Sequence, residues 1–295
     1  MAVFTLPPDL FPFYKKHIEF ITEHAVDPDK RRYAVIGEAP RHYIDIDYYA
    51  KEGEDPFDIM PKKWNDAVDK FTEDTLMEYG IVPWHIDKMM YRLTRALMKG
   101  DVDKILRYSA DLGHYVGDMH VPLHTTENYN GQMTGQKGIH AFWESRIPEL
   151  VADDEYDHFV GRARYIDDPL EAAWDAVKIS HYAVDSVLSF ERVLSSTWPE
   201  DAKYTFEDRG RTNVRTYSKE YALAYEDMLG GQIERRMNDA IICLGSMWYT
   251  AWVNAGQPNL LRYEEKEVSD SLKIVLAEEE EYWRQGRVNG REHDN

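Results

Sequence analysis

Cysteine is almost absent from this chain, and positive charge is scarce. The 295 residues include a single cysteine, Cys243, which excludes an intrachain disulfide and a zinc site built from cysteines. Lysine and arginine number 35 against 54 aspartates and glutamates, so the formal net charge is -19. This excess of negative charge argues against a protein that binds duplex nucleic acid through its phosphates.

Long apolar runs are also missing. No stretch approaches the roughly 18 apolar residues that a membrane-spanning helix requires. The first residues, MAVFTLPPDLF, have neither the basic flank nor the apolar core of a signal peptide. We therefore expect neither a transmembrane segment nor a signal peptide in this chain. A hydrophobic content of 43% and an aromatic content of 13% are typical of a folded globule with a substantial core.

Apolar residues recur at helical spacing through most of the sequence. Tyr14, Ile18, Ile21 and Ala25 step by four, three and four residues, which predicts a first helix that ends near Pro28. Further helices are predicted at about 64–79, 84–99, 101–119, from 139 onwards, 169–197 and 217–254.

Strand signals with regular alternation are nearly absent. The segment 41–49 alternates, but Pro40 precedes it and Gly53 follows, so we expect a loop or extended segment there. The sequence therefore predicts one all-α domain over residues 1–295. In this prediction a site-bearing half covers about 1–150, and a helical scaffold covers about 151–290.

The most informative stretch runs from His114 to Glu144 and combines histidines with carboxylates. His114 and Asp118 are four residues apart, as are His140 and Glu144, so each pair shares one face of a helix. His124 lies in the loop between the pairs. Imidazole and carboxylate ligands suit a cation such as zinc. This pattern predicts a metal-dependent hydrolase.

A structural interpretation competes with metal binding for each pair. A single histidine next to a carboxylate is more often a buried hydrogen-bonded pair than a metal ligand. The coincidence of several such residues favours a metal: five of the 11 histidines fall between positions 85 and 140. A helical bundle in which these histidines form only buried networks stays open as an alternative.

These motifs resemble a known family. HYxGDxxxPxH, followed by HxxxE and preceded by HYxDxD, resembles the zinc-dependent phospholipase C and fungal single-strand-specific nuclease superfamily, most strongly over residues 41–146. The resemblance implies an all-α phosphodiester hydrolase of that type with two or three zinc ions. It also implies a secreted or periplasmic protein.

The resemblance implies seven metal ligands, and Asp118 would bridge two ions. One of them is a histidine between the HYxD segment and the HYxGD helix, where the sequence has His85. We expect His42 to hold the loop, and His120 to support the ligands or face the surface. The implied ligand set is Asp45, His85, His114, Asp118, His124, His140 and Glu144.

The third metal is where the chain departs from the family pattern. Family members hold that ion with the amino group of an N-terminal tryptophan and a histidine soon after it. This sequence begins with Met1, and its first histidine is His17. We expect that a short native segment is missing from this sequence and that the third site is incomplete in it.

The substrate is predicted only as a class. A phosphodiester fits a zinc site, with Asp45 as the candidate catalytic base and Asn128 as a candidate substrate-binding residue; a turn-forming role for Asn128 is an equal alternative. A lipid head group suits the acidic composition, which favours a phospholipase C-like activity. A single-strand-specific nuclease or nucleotidase is the alternative, because aromatic side chains stack on unpaired bases. A non-catalytic metal-binding helical scaffold is the rival of another class.

Overall fold

Helices dominate the structure, so the all-α prediction is confirmed. The structure is a computed structural model, and it describes residues 1–210, 212–263 and 265–286. Residues 287–290, with which the predicted scaffold half ends, lie outside the described residues. None of the described helices is both long and apolar enough to cross a membrane.

The first half of the chain contains ten helices, most of them short. They are α1 (Phe11–Lys16), α2 (Ile18–Glu23), α3 (Asp27–Arg31), α4 (Pro56–Ile59), α5 (Trp64–Phe71), α6 (Glu73–Tyr79), α7 (Val82–Lys99), α8 (Val102–His120), α9 (Ile139–Ala141) and α10 (Ile147–Glu155). A π-helical turn, Phe142–Arg146, joins α9 to α10. Short 3-10 turns occupy Ala2–Thr5, Ala39–His42, Ile46–Tyr49 and Pro122–Thr125.

The second half contains the longest helices and one hairpin. Its elements are α11 (Pro169–Thr197), α12 (Glu200–Lys203), β1 (Tyr204–Arg209), β2 (Thr212–Tyr217), α13 (Lys219–Leu229), α14 (Gln232–Asn254), a 3-10 turn (Leu260–Tyr263) and α15 (Asp270–Arg284). The strands β1 and β2 pair antiparallel, with Tyr204 opposite Tyr217.

Three helices that the periodicity predicts as continuous are each divided in two. The predicted first helix breaks at His17 into α1 and α2 and ends at Glu23, and Pro28 lies in the first turn of α3 instead of marking the end of the first helix. The predicted helix 64–79 breaks at Thr72, whose φ of 71° is incompatible with a helix, and the Thr72 hydroxyl accepts from the backbone of Thr75 to begin α6. The predicted helix 217–254 breaks at Gly230 and Gly231, both at positive φ. Apolar periodicity continued across all three breaks, so the pattern alone did not reveal them.

The hairpin β1–β2 was not predicted, because its exposed residues lack a clean alternation of apolar and polar side chains. The hairpin packs on the helical domain at the end of β2, where the Tyr217 ring stacks on Phe142 with their centroids 3.9 Å apart. Arg146 pairs with Glu207 of the hairpin and donates to the backbone oxygen of Tyr217 (3.2 Å). The hairpin therefore supports the helical turn that carries Glu144.

The buried side chains form two hydrophobic clusters that meet near residue 120. One cluster draws mainly on residues 2–119, and the other draws on residues 121–151 and 184–233. The helices α11 and α14 contribute to both clusters and connect them. The end of α8 and the turn after it therefore lie at the junction of the two clusters, and Asp118 and His124 are buried there.

Candidate metal centre

Among the described residues, two groups of three side chains bring their ligand atoms close together. The first group consists of Asp29, His42 and His114, and the second of His124, His140 and Glu144. In each group the ligand atoms all lie within 4.8 Å of one another. Both groups therefore have the composition of a nitrogen- and oxygen-liganded metal site.

The first group joins three separate segments of the chain. Nδ1 of His42 lies 3.0 Å from Nε2 of His114, and Oδ1 of Asp29 lies 3.7 and 3.6 Å from these two atoms. Zinc bonds of about 2.0–2.2 Å in tetrahedral geometry place neighbouring ligand atoms roughly 3.3–3.6 Å apart. The observed spacing is close to that range.

The position of Asp29 depends on a buried ion-pair network. Arg31, two residues after it in α3, pairs with Asp111 of α8 (2.9 Å), Glu38 (3.8 Å) and Glu279 of α15 (3.7 Å). The side chain of Arg31 is only 6% exposed, so these pairs fix α3 against α8 away from solvent screening. Asp111 is three residues before His114 on α8, which places the network next to the first group.

The second group is built almost entirely from one local region. Nε2 of His140 lies 2.8 Å from Oε2 of Glu144 and 3.2 Å from Nε2 of His124, and the remaining distance is 3.5 Å. His140 and Glu144 are four residues apart across the start of the π-helical turn. His124 follows Pro122, which ends α8 and starts the next turn.

Hydrogen bonds fix the tautomers of both histidines in the second group. Nδ1 of His124 donates to the backbone oxygen of His42 (2.7 Å), and Nδ1 of His140 donates to the backbone oxygen of Tyr129 (3.1 Å). In a neutral imidazole this leaves each Nε2 as an acceptor, and both face the Glu144 carboxylate. A proton bridges two such atoms, whereas a metal ion contacts all three. The backbone acceptors are also the usual outer partners of metal-binding histidines.

Asp118 lies against the first group and acts electrostatically on the second. Its Oδ2 lies 3.0 Å from Nδ1 of His42 and 3.4 Å from Nε2 of His114. Its charge also raises the pKa of His124 in the second group, against the opposing effect of burial. A carboxylate in this position is suited to bridging two ions.

The electrostatic environment of both groups favours positive charge. Burial alone would lower the pKa of His114, but the carboxylates of Asp118 and Asp29 raise it to about 10. Burial alone would raise the pKa of Glu144, but hydrogen bonds from His124 and His140 hold it below its usual range. Either a proton or a metal ion can supply the positive charge that each group favours. Metal binding at these groups therefore displaces protons from the histidines.

Asp45 is not among the side chains whose ligand atoms converge. It is 6% exposed and lines a cavity of about 470 Å³ together with Tyr43, Tyr79 and Tyr129. Tyr129 is also the residue whose backbone oxygen accepts from His140. The structure therefore places Asp45 in a cavity beside the second group, and its predicted role as a ligand stays a prediction.

His85 also lies outside both groups. It is 4% exposed, and its ring packs edge-on against Tyr115 at 4.5 Å. Burial and the neighbouring charges of Arg41 and Arg92 lower its pKa well below the usual value. The predicted ligand role of His85 is thus unsupported by its position, because positive neighbours repel a metal ion.

Two further residues have structural partners. The side chain of Asn128 donates to the Thr134 hydroxyl (3.1 Å) and accepts from the backbone of Met133 (2.8 Å), which is the turn-forming geometry. His120 is buried and its Nδ1 donates to the backbone oxygen of Val116 (2.7 Å). Neither side chain belongs to the two ligand groups.

Sequence reasoning missed Asp29 and His42. Asp29 stands in a short helix, DPDKR, 85 positions before His114, and nothing local marks it as a ligand. His42 is the first residue of the HYxDxD motif. The motif therefore did contain a residue of the first group, but that residue is its histidine and not its aspartate, Asp45. The comparisons with protein-family models, curated proteins and solved structures found no match to this chain.

Proposed function

We propose that this protein is a zinc-dependent hydrolase of phosphodiester bonds. The observation that carries the proposal is the convergence of two adjacent groups of candidate ligands, with the Asp118 carboxylate against the first group and its charge raising the pKa of His124 in the second. The first group with Asp118 and the second group would each hold one ion. Three carboxylates among the seven ligands, those of Asp29, Asp118 and Glu144, leave one net positive charge with two divalent ions, which favours an anionic substrate.

Zinc bound at these groups would supply Lewis-acid stabilisation of the charge that develops on a phosphoryl group and would make coordinated water more acidic. The chain's own residues then orient the ligands: the backbone oxygens of His42 and Tyr129 hold the rings of His124 and His140. The cavity beside the second group supplies a place for the substrate, and Asp45 on its wall is our candidate for the group that accepts a proton.

The variant Asp45→Asn tests that assignment. It keeps the size of the side chain and removes its basicity, so we expect turnover to fall about 10²-fold or more while zinc content stays unchanged. Full turnover with full zinc content would exclude Asp45 as the base. A loss of zinc together with turnover would instead support the ligand role that the family resemblance implies.

A phospholipase C-like activity on lipid phosphodiesters is our first candidate, because the chain is strongly acidic. Single-stranded nucleic acid is the second candidate substrate. The three tyrosines that line the Asp45 cavity, Tyr43, Tyr79 and Tyr129, favour it because such rings stack on unpaired bases.

Zinc content and hydrolysis, measured together on the same preparation, test the proposal. Bis(p-nitrophenyl) phosphate reports the chemistry, while a short-chain phosphatidylcholine and single-stranded DNA distinguish the two substrate classes. We expect two zinc ions per chain and cleavage of at least one natural substrate class. Two bound zinc ions without any cleavage would favour a metal-binding scaffold, and no bound zinc would favour a purely structural bundle.

A further inference from the structure

A buried histidine without a hydrogen-bond partner lies between two cavities on the side of α7. His85 is 4% exposed, and within the described part of the chain its imidazole ring makes no hydrogen bond or ion pair. It lines one cavity of about 510 Å³ and another of about 590 Å³. A buried imidazole normally has a polar partner, so its ring nitrogens are available to a ligand in these cavities.

Three cationic side chains surround this histidine. Arg41 lines both cavities, Lys88 lines the first, and Arg92 lines the second. Their charges act on one another: burial, Arg92 and Arg41 all lower the pKa of Lys88. We call His85, Arg41, Lys88 and Arg92 the His85 cluster. In a chain with a net charge of -19, such a cluster is a local exception.

Two of these cations lack an acidic partner. Among the described residues Lys88 forms no ion pair, and Arg92 contacts only the sulfur of Met89 (3.8 Å). Arg41 is held by the buried carboxylate of Glu38. Glu73 and Asp87 also line the first cavity, but neither pairs with a cation of the cluster. The two unpaired cations are therefore available to an anion.

The first cavity also has an apolar wall. The rings of Trp64 and Trp84 meet edge to face at 5.3 Å, and the indole of Trp84 is anchored by a hydrogen bond to the backbone oxygen of Lys62 (2.7 Å). Met77, Ile81 and Leu170 add further apolar surface to the same cavity. A volume of about 510 Å³ is in the range of small-molecule sites, which combine apolar walls with a few polar groups.

We propose that the His85 cluster is a binding site for a small phosphorylated molecule with an aromatic or apolar body, separate from the candidate metal centre. The dianionic phosphate would lie against the cations and accept a hydrogen bond from the His85 ring. The body would pack on the wall formed by Trp64 and Trp84. Metal plays no part in this site, so the inference does not depend on the proposed hydrolase activity.

Calorimetric titration with phenyl phosphate tests the site, with inorganic phosphate and phenol as the two halves of the probe. The double variant Lys88→Gln/Arg92→Gln is expected to raise the Kd for phenyl phosphate about tenfold or more. The matched control is Arg95→Gln/Lys99→Gln, which removes the same charge from exposed positions of the same helix outside both cavities. We expect this control to keep the Kd within twofold of the unaltered protein.

Four further results test the proposal. Binding that survives His124→Ala, which alters the metal centre, supports a separate site, and binding lost there but retained in Lys88→Gln/Arg92→Gln overturns it. An equal loss in the Arg95→Gln/Lys99→Gln control would reduce the effect to surface charge and would also overturn it. Phenyl phosphate must bind more tightly than phosphate or phenol, and a shift of the His85 ring signals in NMR spectra must accompany it.

Discussion

The two ligand groups of this protein differ in how the chain builds them. The second group takes its three ligands from a stretch of 21 residues, His124 to Glu144, at one end of α8. The first group joins α3, the turn that ends at His42, and the middle of α8. One group therefore depends on local helical geometry, and the other depends on long-range docking.

The supports of the two groups differ accordingly. The first relies on ion pairs buried between helices, centred on Arg31, which faces three carboxylates. The second relies on neutral hydrogen bonds to backbone oxygens and on a loop tied to α11 by Gln136 and Glu191. Disturbing one support should therefore affect one group and leave the other intact.

Removing one ligand from each group should have the largest effect. We expect His42→Ala and His140→Ala each to lower zinc content from two ions to one and to reduce turnover about 10³-fold, because each ion contributes several kcal/mol of charge stabilisation. Zinc content by mass spectrometry and hydrolysis of bis(p-nitrophenyl) phosphate are the measurements.

His158→Ala is the matched control for these two variants. Its ring lies away from both groups, where Nδ1 contacts the side chain of Asn238 (2.7 Å). The control should retain both ions and full turnover. A His42→Ala variant that keeps two ions would remove His42 from the ligand set.

The second-largest effect is expected from replacing Arg31, which should affect the first group and not the second. Arg31→Met leaves the buried carboxylate of Asp111 without its ion-pair partner, while Glu38 keeps its pair with Arg41. We therefore expect the free energy of unfolding to fall by about 3–5 kcal/mol. Zinc bound by the first group should be lost while the second group keeps its ion. Urea unfolding and zinc content measure the two effects.

The exposed residue Arg284 provides the control, because its pair with Glu280 (3.3 Å) lies at the surface. Arg284→Met should change the free energy of unfolding by less than about 1 kcal/mol. Simultaneous loss of both zinc ions in Arg31→Met would contradict the independence of the two groups.

Acidification should weaken the support of the second group through Glu191. Burial alone would raise its pKa, but hydrogen bonds from Lys203, Tyr221 and Gln136 lower it below the unfolded value of about 4.5. A lowered pKa stabilises the fold above pH 4.5, and this contribution is lost as the pH falls through the folded pKa. Glu191→Gln should therefore lose less stability between pH 7 and pH 3 than the unaltered protein.

Urea unfolding at the two pH values measures this difference, which we expect to be about 1–3 kcal/mol. The exposed carboxylate of Glu200 is the control, and Glu200→Gln should retain the pH dependence of the unaltered protein. An unchanged pH dependence in Glu191→Gln would remove Glu191 from this role.

The smallest effect is expected at Asn128, which the sequence offered as a substrate-binding residue. Asn128→Ala removes two hydrogen bonds within the loop, so stability should fall by about 1–2 kcal/mol while KM stays unchanged. Gln132→Ala, in the same loop but exposed, controls for loop perturbation. A tenfold rise in KM with unchanged stability would restore the substrate-binding role.

The construction of the two groups also explains how much of the site could be predicted from sequence. The spacing of four residues in His140 and Glu144 marks a shared helical face, and the structure brings these two together with His124. Asp29 meets His114 only because α3 docks on α8 through Arg31, and no local pattern records that contact. Asp45 and His85 had plausible positions along the chain, but the structure places Asp45 on the wall of a neighbouring cavity and His85 beside Arg41 and Arg92, and their ligand roles stay predictions.

The fold was likewise predictable only in the parts that local patterns determine. Periodicity predicted the all-α class and the long helices α7, α8 and α11. It did not predict the breaks at Thr72 and Gly230, where backbone conformation overrides an apolar pattern that continues on both sides. The hairpin β1–β2 was also not predicted, because its stability comes from aromatic contacts with residues far away in the sequence, such as Phe142.

Anomalous diffraction at the zinc edge, from crystals grown with zinc, tests the central claim most directly. We expect two strong peaks, one among Asp29, His42 and His114 and one among His124, His140 and Glu144. Peaks at Asp45 or His85 instead, or no peak within either group, would contradict it.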